Sequence, residues 1–502
     1  MRKINLKTIV FLSAFGMAIN CCAQGNLGFE DGLTHWMIKG NAANIILDKE
    51  NIYEGNACVR ISDSGGINQR VNVSALSIVQ MNAYVKSNEK VKVYPFIQFY
   101  DSANKLLLED KNTSITTTQY QRIGNYTEAP PYTKYILIGI EKDSSNNYIY
   151  ADNFSVKIES NNTVARLPIC NLDEYMRPFW NSDTIYNETV LMYSVNGKAA
   201  TGKLLFSPSK IISVKSFDLN TKYKRGLDYA LNGRLILKTE NSSMPSRADT
   251  SFDTKTNLAW YDLQSQWIVV TYIHHDQWSG PTPSYKGDKM PHTIAKLRKK
   301  LPLKIVALGM SITRGLNVSS YDTVRPYMPT YIDLFSYQLK KNFGYNDITV
   351  YNEGLPGAVV SWGADYAETY VNPLKPDLVI LDFGMNDFWR YTPEQFVVYI
   401  KIIINKVQTS NPGVEFLLLS NMKFDPDYVL NSDTNKSWYQ KNLIGYNSEL
   451  QRLETTGIID FDMTTLSDKI YKMKKAKDCI ANPLHPNDYL ARWYAQGMAA
   501  LF

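Results

Sequence analysis

The chain has 502 residues, of which 44% are hydrophobic, so it exceeds the usual size of a single hydrophobic core and is expected to form several domains. The formal net charge of +6 is spread along the chain, and the dense basic runs at 298–300 and 472–477 have the pattern of solvated faces rather than of a nucleic-acid site. Beyond the N-terminal segment no stretch is apolar and long enough to span a bilayer, so no membrane-spanning segment is predicted.

The first residues have the pattern of a secretory signal. A basic start precedes an apolar stretch at 9–19, and small residues follow it before Gln24. We predict a signal peptide at 1–23 and therefore a secreted or periplasmic protein. A lipid anchor to the outer membrane through Cys21 or Cys22 is the alternative, although the residues before these cysteines match a lipidation site poorly.

The region from 24 to 160 consists of short runs in which hydrophobic and polar residues alternate. Examples lie at 57–61, 91–100 and 135–140, and turn-forming residues separate the runs at the spacing of strands. No run shows a helical period. The pattern predicts an antiparallel β-sandwich over 24–160.

Three segments of this region, at 26–36, 53–61 and 149–156, together resemble jelly-roll carbohydrate-binding modules. The resemblance implies that the module helps to attach the protein to a polysaccharide. It also implies a structural calcium ion with Glu30 and Asp152 among its ligands. The alternative is that both residues are ordinary surface carboxylates.

A second β-rich region follows at 161–295. Apolar runs of strand length lie at 189–194, 203–206, 234–237 and 267–272. Turn-forming residues separate them, as in the first region. The pattern predicts a second β-sandwich domain rather than a linker.

Beyond residue 302 the sequence predicts strands and helices in alternation. The predicted strands are short apolar runs at 305–308, 348–351, 378–383, 416–420 and 458–461. The predicted helices lie at 331–343, 392–407 and 437–453, and a last one begins at 488. This alternation predicts a three-layer α/β/α domain over 296–502, with a parallel sheet and with reactive groups at the C-terminal ends of its strands.

Ser311 follows the first of these strands, in a tight turn between Gly309 and Gly315. Glycine relaxes the backbone where a strand turns sharply into a helix and where a substrate approaches closely. The position is similar to that of a nucleophile elbow, although the spacing is not Gly-x-Ser-x-Gly. Ser311 is therefore a candidate nucleophile, and an ordinary glycine turn is the alternative.

Three further residues are expected at the same edge of the sheet. Gly357 lies in a glycine-rich turn after the second strand, Asn386 follows the third strand, and His485 precedes the last helix. The C-terminal ends of parallel strands meet at one edge, so these residues are expected near Ser311. For each residue the alternative is a purely structural role: Gly357 as a turn residue, Asn386 as a cap, and His485 as a hydrogen-bonded polar residue before a proline.

These segments together resemble the SGNH (GDSL-like) hydrolase superfamily over about 300–502. The matching blocks are Gly-Met-Ser-Ile-Thr at Ser311, the turn at Gly357, Gly-Met-Asn-Asp at Asn386 and His-Pro at His485. The resemblance implies acyl transfer, with Ser311 as nucleophile and His485 as general base. It also implies an oxyanion hole formed by the N–H groups of Ser311 and Gly357 and the amide of Asn386. No cofactor is implied for catalysis.

Two residues depart from the family pattern. Met310 replaces an aspartate before the serine, a residue with a structural role, so activity is expected to survive. Asn482 stands where the family usually has an aspartate three residues before the histidine. An amide can orient the imidazole of His485 but supplies no charge. Asn482 itself is therefore predicted to complete the site. The alternatives are that Asp478 or another carboxylate does so, or that Ser311 and His485 work as a dyad.

The order of the domains resembles that of bacterial secreted carbohydrate acetyl esterases. We therefore predict a serine esterase that removes O-acetyl groups from an acetylated polysaccharide or oligosaccharide, such as plant xylan or xyloglucan. One alternative is a lipase or aryl esterase of the same superfamily. The other is a polysaccharide-binding protein whose catalytic site is impaired at Asn482.

Overall fold

The structure is a computed structural model that describes residues 26–41, 45–62, 64–75, 77–130, 133–159, 167–248, 263–426 and 433–502. The predicted signal peptide at 1–23, with Cys21 and Cys22, lies outside these residues and stays a prediction. The internal contacts of the chain divide it into two units, Met1–Asn162 and Thr163–Phe502. Within the described ranges no helix has the length and apolarity needed to cross a membrane.

The described part of the first unit contains eleven strands, which are β1 (Met37–Lys39), β2 (Ile45–Asp48), β3 (Cys58–Ile61), β4 (Gly66–Asn72), β5 (Ile78–Lys86), β6 (Lys92–Tyr100), β7 (Leu106–Lys111), β8 (Ser114–Ile115), β9 (Gln121–Glu128), β10 (Tyr135–Lys142) and β11 (Ile149–Glu159). They form two antiparallel sheets with the strand orders β1-β4-β10-β6-β7 and β2-β3-β11-β5-β9, and β8 pairs with β6.

The two sheets of the first unit share one hydrophobic core. Alternate side chains of β5, such as Val79 and Met81, are fully buried, as the strand period of two requires. Ile136 and Ile138 of β10, in the other sheet, belong to the same cluster. The predicted antiparallel β-sandwich is therefore confirmed.

The second unit begins with a β-rich part, whose elements are α1 (Leu172–Tyr175), β12 (Thr184–Leu191), β13 (Tyr193–Ser194), β14 (Thr201–Lys203), β15 (Pro208–Ser216), β16 (Lys222–Tyr223), β17 (Tyr229–Asn232), β18 (Leu235–Lys238), β19 (Arg247–Ala248), α2 (Leu263–Gln266) and β20 (Trp267–His274). Its two sheets have the orders β12-β20-β15-β16 and β17-β18-β14-β13-β19. All pairs are antiparallel except β13 with β19. The prediction of a second sandwich-like region is confirmed.

The strand predicted at 203–206 is wrong, because β14 ends at Lys203. The next residues are buried, but two of their N–H groups bond side chains instead of a neighbouring strand. Leu205 donates to the carboxylate of Glu188 at 2.8 Å, and Phe206 donates to the hydroxyl of Tyr272 at 3.1 Å. An apolar run alone does not distinguish such a buried segment from a strand.

The C-terminal part of the second unit is an α/β domain with five parallel strands, β21 (Leu303–Gly309), β22 (Ile348–Gly354), β23 (Leu378–Asp382), β24 (Glu415–Ser420) and β25 (Ile458–Asp462), in the order β22-β21-β23-β24-β25. The helices are α3 (Pro291–Lys299), α4 (Ser311–Arg314), α5 (Tyr331–Phe343), α6 (Val360–Tyr370), α7 (Pro393–Ser410), α8 (Asp433–Arg452), α9 (Met463–Met473) and α10 (Asp488–Ala499). A short hairpin of β26 (Ile480–Asn482) and β27 (His485–Pro486) precedes α10.

Every residue of β23 and β24 is buried, so both faces of the sheet are covered. The predicted helix at 331–343 and the start of the last helix at 488 are confirmed, whereas α7 ends three residues beyond its predicted end at 407 and α8 begins four residues before its predicted start at 437. Thr392 forms a capping box with Gln395 at the start of α7, and Gly344 ends α5 in the left-handed conformation. The predicted α/β/α architecture is confirmed.

Buried polar contacts join the β-rich part to the α/β domain within the second unit. Lys474, after α9, binds the carboxylate of Glu188 in β12 and the carbonyl of Thr189. Arg492 of α10 donates to the carbonyls of Tyr186 and Asn187 at 2.8 Å each. The domain boundary predicted at 295 thus falls inside one unit, and it stays a prediction.

Candidate active site

Ser311 is the first residue of α4 and lies directly beyond the C-terminal end of β21. The turn needs Gly309, because an added Cβ there would lie 2.0 Å from Oγ1 of Thr313 and 2.5 Å from the carbonyl of Asp382. Gly315 ends α4 with φ +93°, a conformation that favours glycine. The two glycines therefore allow the tight strand-to-helix turn that carries the hydroxyl of Ser311.

His485 reaches this hydroxyl from the hairpin before α10. Its Nε2 lies 2.8 Å from Oγ of Ser311. Burial lowers the pKa of His485 to about 4, so the imidazole is neutral at neutral pH. A neutral imidazole within hydrogen-bond distance of a hydroxyl is able to accept its proton.

The other imidazole nitrogen, Nδ1 of His485, contacts two amide side chains. It lies 2.9 Å from Oδ1 of Asn317 and 2.8 Å from Nδ2 of Asn482. Nδ2 of Asn482 also donates to Oδ1 of Asn317 at 2.8 Å. If Nδ1 carries the proton and donates to Asn317, the lone pair of Nε2 faces Ser311, which is the tautomer that a general base requires.

Of the two residues predicted to complete the site, the structure places Asn482 beside His485. It does not bring Asp478 there. The carboxylate of Asp478 accepts the N–H of Leu191 at 2.7 Å and lies 3.7 Å from Nζ of Lys474. Among the described residues no hydrogen bond joins Asp478 to His485. Asp478 instead helps to hold β12 against the α/β domain.

The predicted oxyanion residues lie beyond strands that flank β21. Gly309 is in register with Gly354 of β22 and with Asp382 of β23. Gly357 occupies the turn after β22 with φ +80°, and an added Cβ would meet no atom within 4 Å, so this turn faces open space. Within the described chain, no hydrogen bond occupies the N–H of Gly357, which leaves it free for a ligand.

Asn386 lies in the turn after β23. Its Nδ2 donates to the carbonyl of Ala358 at 2.9 Å, and the second hydrogen of that amide is left for a substrate oxygen. Buried Asp387 joins the two turns, since it accepts the N–H groups of Val360 and Gly384 at 2.8 Å each. These contacts position the amide of Asn386 beside the turn that carries Gly357.

A buried carboxylate that the sequence did not indicate supports the turn that carries Ser311. Asp382, at the end of β23, accepts hydrogen bonds from Tyr331 at 2.6 Å, Thr313 at 2.7 Å and Asn421 at 2.7 Å. Thr313 in turn accepts the N–H of Met310 at 2.9 Å. The side chain of Met310 is fully buried and is therefore part of the packing beneath the turn.

Asn317 is the other residue that sequence reasoning missed. It lies two residues after Gly315 and belongs to none of the four motif segments. Its φ is +67°, a conformation that asparagine tolerates better than most residues. Only the folded loop brings its amide to His485, so no local pattern could have indicated it.

The residues predicted to bind calcium lie in the first unit. Glu30 accepts the N–H and the side-chain amide of Asn56 at 2.8 Å each. Asp152 accepts the N–H groups of Tyr53 at 2.9 Å, Glu54 at 3.1 Å and Asn153 at 2.6 Å. The described residues contain no group of three or more acidic, histidine or cysteine side chains suited to a metal. N–H donors bond both carboxylates, and the prediction of a calcium ion at Glu30 and Asp152 stays a prediction.

We expect replacement of Asn386 by alanine to lower kcat for ester hydrolysis by about 10²–10³-fold, the usual cost of removing one oxyanion donor. KM should change little, because this donor acts mainly on charge that develops in the transition state. Steady-state kinetics with an aryl acetate measures both constants. An unchanged kcat in a folded Asn386→Ala protein would exclude the amide from the oxyanion hole.

One protein family matches part of the chain. Residues 307–492 match the GDSL-like Lipase/Acylhydrolase family. The matched range contains Ser311, Gly357, Asn386 and His485, together with Asn317.

Three solved structures are similar to parts of the chain. A two-domain esterase (CEX) active on acetylated mannans is 22% identical with a TM-score of 0.35, and the match covers 44% of this chain and 54% of that one. TmCBM61, solved in complex with β-1,4-galactotriose, is 18% identical with a TM-score of 0.23, over 27% of this chain and 97% of that one. The CBM22-1 xylan-binding domain of Xyn10C from Paenibacillus barcinonensis is 15% identical with a TM-score of 0.24, over 26% and 91%. At these values the similarities carry no information on substrate or mechanism.

Proposed function

We propose that the GDSL-like lipase/acylhydrolase domain at the C-terminus of this chain is a serine esterase that removes O-acetyl groups from an acetylated polysaccharide or oligosaccharide, such as plant xylan or xyloglucan. The observation that carries the proposal is the 2.8 Å contact between Oγ of Ser311 and Nε2 of His485. This contact lies at the C-terminal edge of the parallel sheet, where the turns that carry Gly357 and Asn386 also lie. No cofactor takes part in the proposed reaction.

The proposed reaction has two steps. His485 takes the proton of Ser311 while Oγ attacks the acetyl carbonyl, and the developing oxyanion binds the N–H groups of Ser311 and Gly357 and the amide of Asn386. Collapse of this intermediate transfers the proton from His485 to the departing sugar hydroxyl and leaves an acetyl group on Ser311. His485 then deprotonates a water that attacks the acetyl carbonyl, and collapse of this second intermediate breaks the bond to Oγ. His485 returns the proton to Oγ of Ser311, and acetate leaves.

Exposed aromatic side chains support a carbohydrate as the alcohol part of the substrate. Trp389 lies three residues beyond Asn386 and is 38% exposed. In the first unit, Tyr53 is 42% exposed and stacks on Tyr84 with ring centroids 3.9 Å apart. Aromatic rings that carry one polar group suit ligands with one apolar face and one polar, hydrated face. We propose that the first unit helps the secreted or periplasmic enzyme to remain on its polysaccharide.

The test of this function is release of acetate from acetylated xylan, xyloglucan and mannan, combined with hydrolysis of nitrophenyl esters of increasing acyl length. We expect acetate release from at least one polysaccharide and a preference for the acetyl ester. A preference for long acyl chains would favour a lipase or aryl esterase. Polysaccharide binding without hydrolysis of any ester would indicate an impaired catalytic site.

We also expect the enzyme to stay active down to an unusually acidic pH. The base must be neutral to accept the proton of Ser311, so the rate falls as the pH drops through the pKa of His485. Burial lowers that pKa to about 4, so kcat/KM should stay level from neutral pH down to about that value and then fall. A pH profile of kcat/KM with an aryl acetate measures this limit. A fall centred near the ordinary histidine pKa of about 6.5 would contradict it.

A further inference from the structure

We propose that the outer face of the sheet β2-β3-β11-β5-β9 in the first unit binds the uronic acid groups of an acidic polysaccharide. Among the candidate polysaccharides, this selects a xylan that bears glucuronic acid over xyloglucan and mannan, which are neutral. The inference deepens the proposed function and rests on it, because that function makes the ligand a polysaccharide. It follows from tyrosine rings and cationic side chains that the sheet places side by side.

Five tyrosines gather on this face, which we call the tyrosine face: Tyr53, Tyr84, Tyr120, Tyr148 and Tyr150. Tyr84 points outward on β5 because its neighbours Ala83 and Val85 are buried in the core. The ring of Tyr53, which stacks on Tyr84, also lies 5.2 Å from that of Tyr120 between centres. The rings of Tyr148 and Tyr150 meet edge to face at 5.5 Å. Rings of this kind suit the apolar faces of sugars.

Two cations alternate with these rings in one row across the sheet. Arg60 of β3 and Lys86 of β5 lie directly opposite Tyr150 of β11, one on each side of that strand. Nζ of Lys86 lies 4.9 Å from the ring centre of Tyr120 and 5.4 Å from that of Tyr150. Cζ of Arg60 lies 5.4 Å from the ring centre of Tyr148. Attraction between a cation and a ring face therefore holds both charges among the tyrosines.

Neither cation is neutralised by an acidic partner. Within the described residues, no ion pair or hydrogen bond engages the side chain of Arg60 or Lys86, and Nε of Arg60 is buried without an acceptor. The charge of Arg60 acts on Asp48 of β2, but no ion pair joins them. Oδ1 of Asp48 instead accepts the N–H groups of Glu50 and Asn51 at 2.8 Å and 2.7 Å. The row thus offers two positive charges to a ligand.

A uronic acid has the chemistry that complements this row. Guanidinium and ammonium groups only donate hydrogen bonds, whereas an ionised carboxylate only accepts them. Hydrogen bonds between such groups are shorter and about twice as strong as those between neutral groups. The sugar ring that carries the carboxylate stacks on a tyrosine while the carboxylate meets Arg60 or Lys86. A neutral sugar stacks equally well but leaves both charges unmatched.

The test compares glucuronoxylan with the same polymer after chemical reduction of its carboxyl groups. Binding is measured by isothermal titration calorimetry with Ser311→Ala protein, so that acetate release does not disturb the signal. We expect glucuronoxylan to bind about tenfold or more tightly than the reduced polymer, the contribution of one charge-assisted hydrogen bond. About 1 M salt, where the Debye length is about 3 Å, should remove most of this difference. Equal affinity for the two polymers at low salt would overturn the proposal, and this comparison needs no variant of the tyrosine face.

The double variant Arg60→Gln and Lys86→Gln, made in the same protein, identifies the residues. It should bind glucuronoxylan as weakly as the reduced polymer, and its affinity for the reduced polymer should stay within about twofold of the parent. Arg70→Gln is the matched control, because Cζ of Arg70 also lies over a tyrosine ring, 3.6 Å from the centre of Tyr135, but on the other sheet. It should bind both polymers as the parent does. An unchanged preference in the folded double variant, or an equal loss in Arg70→Gln, would overturn the assignment.

The outcome is separable from that for the esterase function. An active esterase that binds the native and the reduced polymer equally would refute this inference alone. A protein that prefers glucuronoxylan but hydrolyses no acetyl ester would refute the esterase function and support the binding face.

Discussion

Replacement of Ser311 by alanine is expected to lower kcat for acetyl ester hydrolysis by about 10⁴–10⁶-fold, the range found when a serine nucleophile is removed. In the proposed reaction, Oγ of Ser311 is the only protein atom that forms a covalent bond with the acetyl group. The remaining oxyanion donors and His485 would still accelerate attack by water slightly. KM should stay within a few-fold of wild type, because a lost hydroxyl changes little of the binding surface.

The measurement is acetate release from an aryl acetate and from an acetylated polysaccharide. Ser320→Ala is a matched control, because this serine lies nine residues further along, beyond the loop that carries Asn317, and plays no part in the proposed reaction. It should retain wild-type kcat. Equal activity in wild type and Ser311→Ala would exclude Ser311 as the nucleophile.

The second large effect concerns stability. Replacement of Lys474 by methionine is expected to destabilise the second unit by about 3–5 kcal/mol, because it leaves the buried carboxylate of Glu188 without its counter-ion. Both side chains are fully buried. Glu188 also accepts from Leu205 and Tyr272, so it cannot turn toward solvent without breaking those bonds. Urea unfolding followed by tryptophan fluorescence measures the loss.

Lys472→Met is the control for this prediction, since the side chain is 71% exposed and its ion pair with Asp468 lies at the surface. It should change stability by less than about 1 kcal/mol. Adding Glu188→Gln to Lys474→Met should recover part of the loss, because the unpaired charge is then absent. Equal stability of Lys474→Met and wild type would show that the pair does not hold the β-rich part to the α/β domain.

The sequence predicted those parts of the molecule that local patterns encode. The glycines around Ser311 and the alternation of strands and helices were sufficient to predict the tight turn at Ser311 and the parallel sheet. The alternation of hydrophobic and polar residues in the first unit likewise predicted its β-sandwich, because successive side chains of a half-buried strand point alternately to the core and to solvent.

The sequence could not predict contacts that only the tertiary fold creates. Asn317 reaches His485 across 168 positions of the chain through a loop in a left-handed conformation. The pair of Glu188 and Lys474 is similarly distant, at 286 positions, and nothing in either local segment distinguishes these charges from exposed ones. The same limit applies to Asn482. The sequence predicted that its amide completes the site at His485, but only the structure shows which end of the amide faces the imidazole.

The central claim is that Ser311 carries the acetyl group during the reaction. Rapid acid quenching during turnover of an aryl acetate, followed by mass spectrometry of the proteolysed protein, tests this claim directly. We expect one acetyl group on the peptide that contains Ser311, and none on the same peptide of Ser311→Ala. Turnover with no acetyl group on Ser311, or with the group on another residue, would contradict the account.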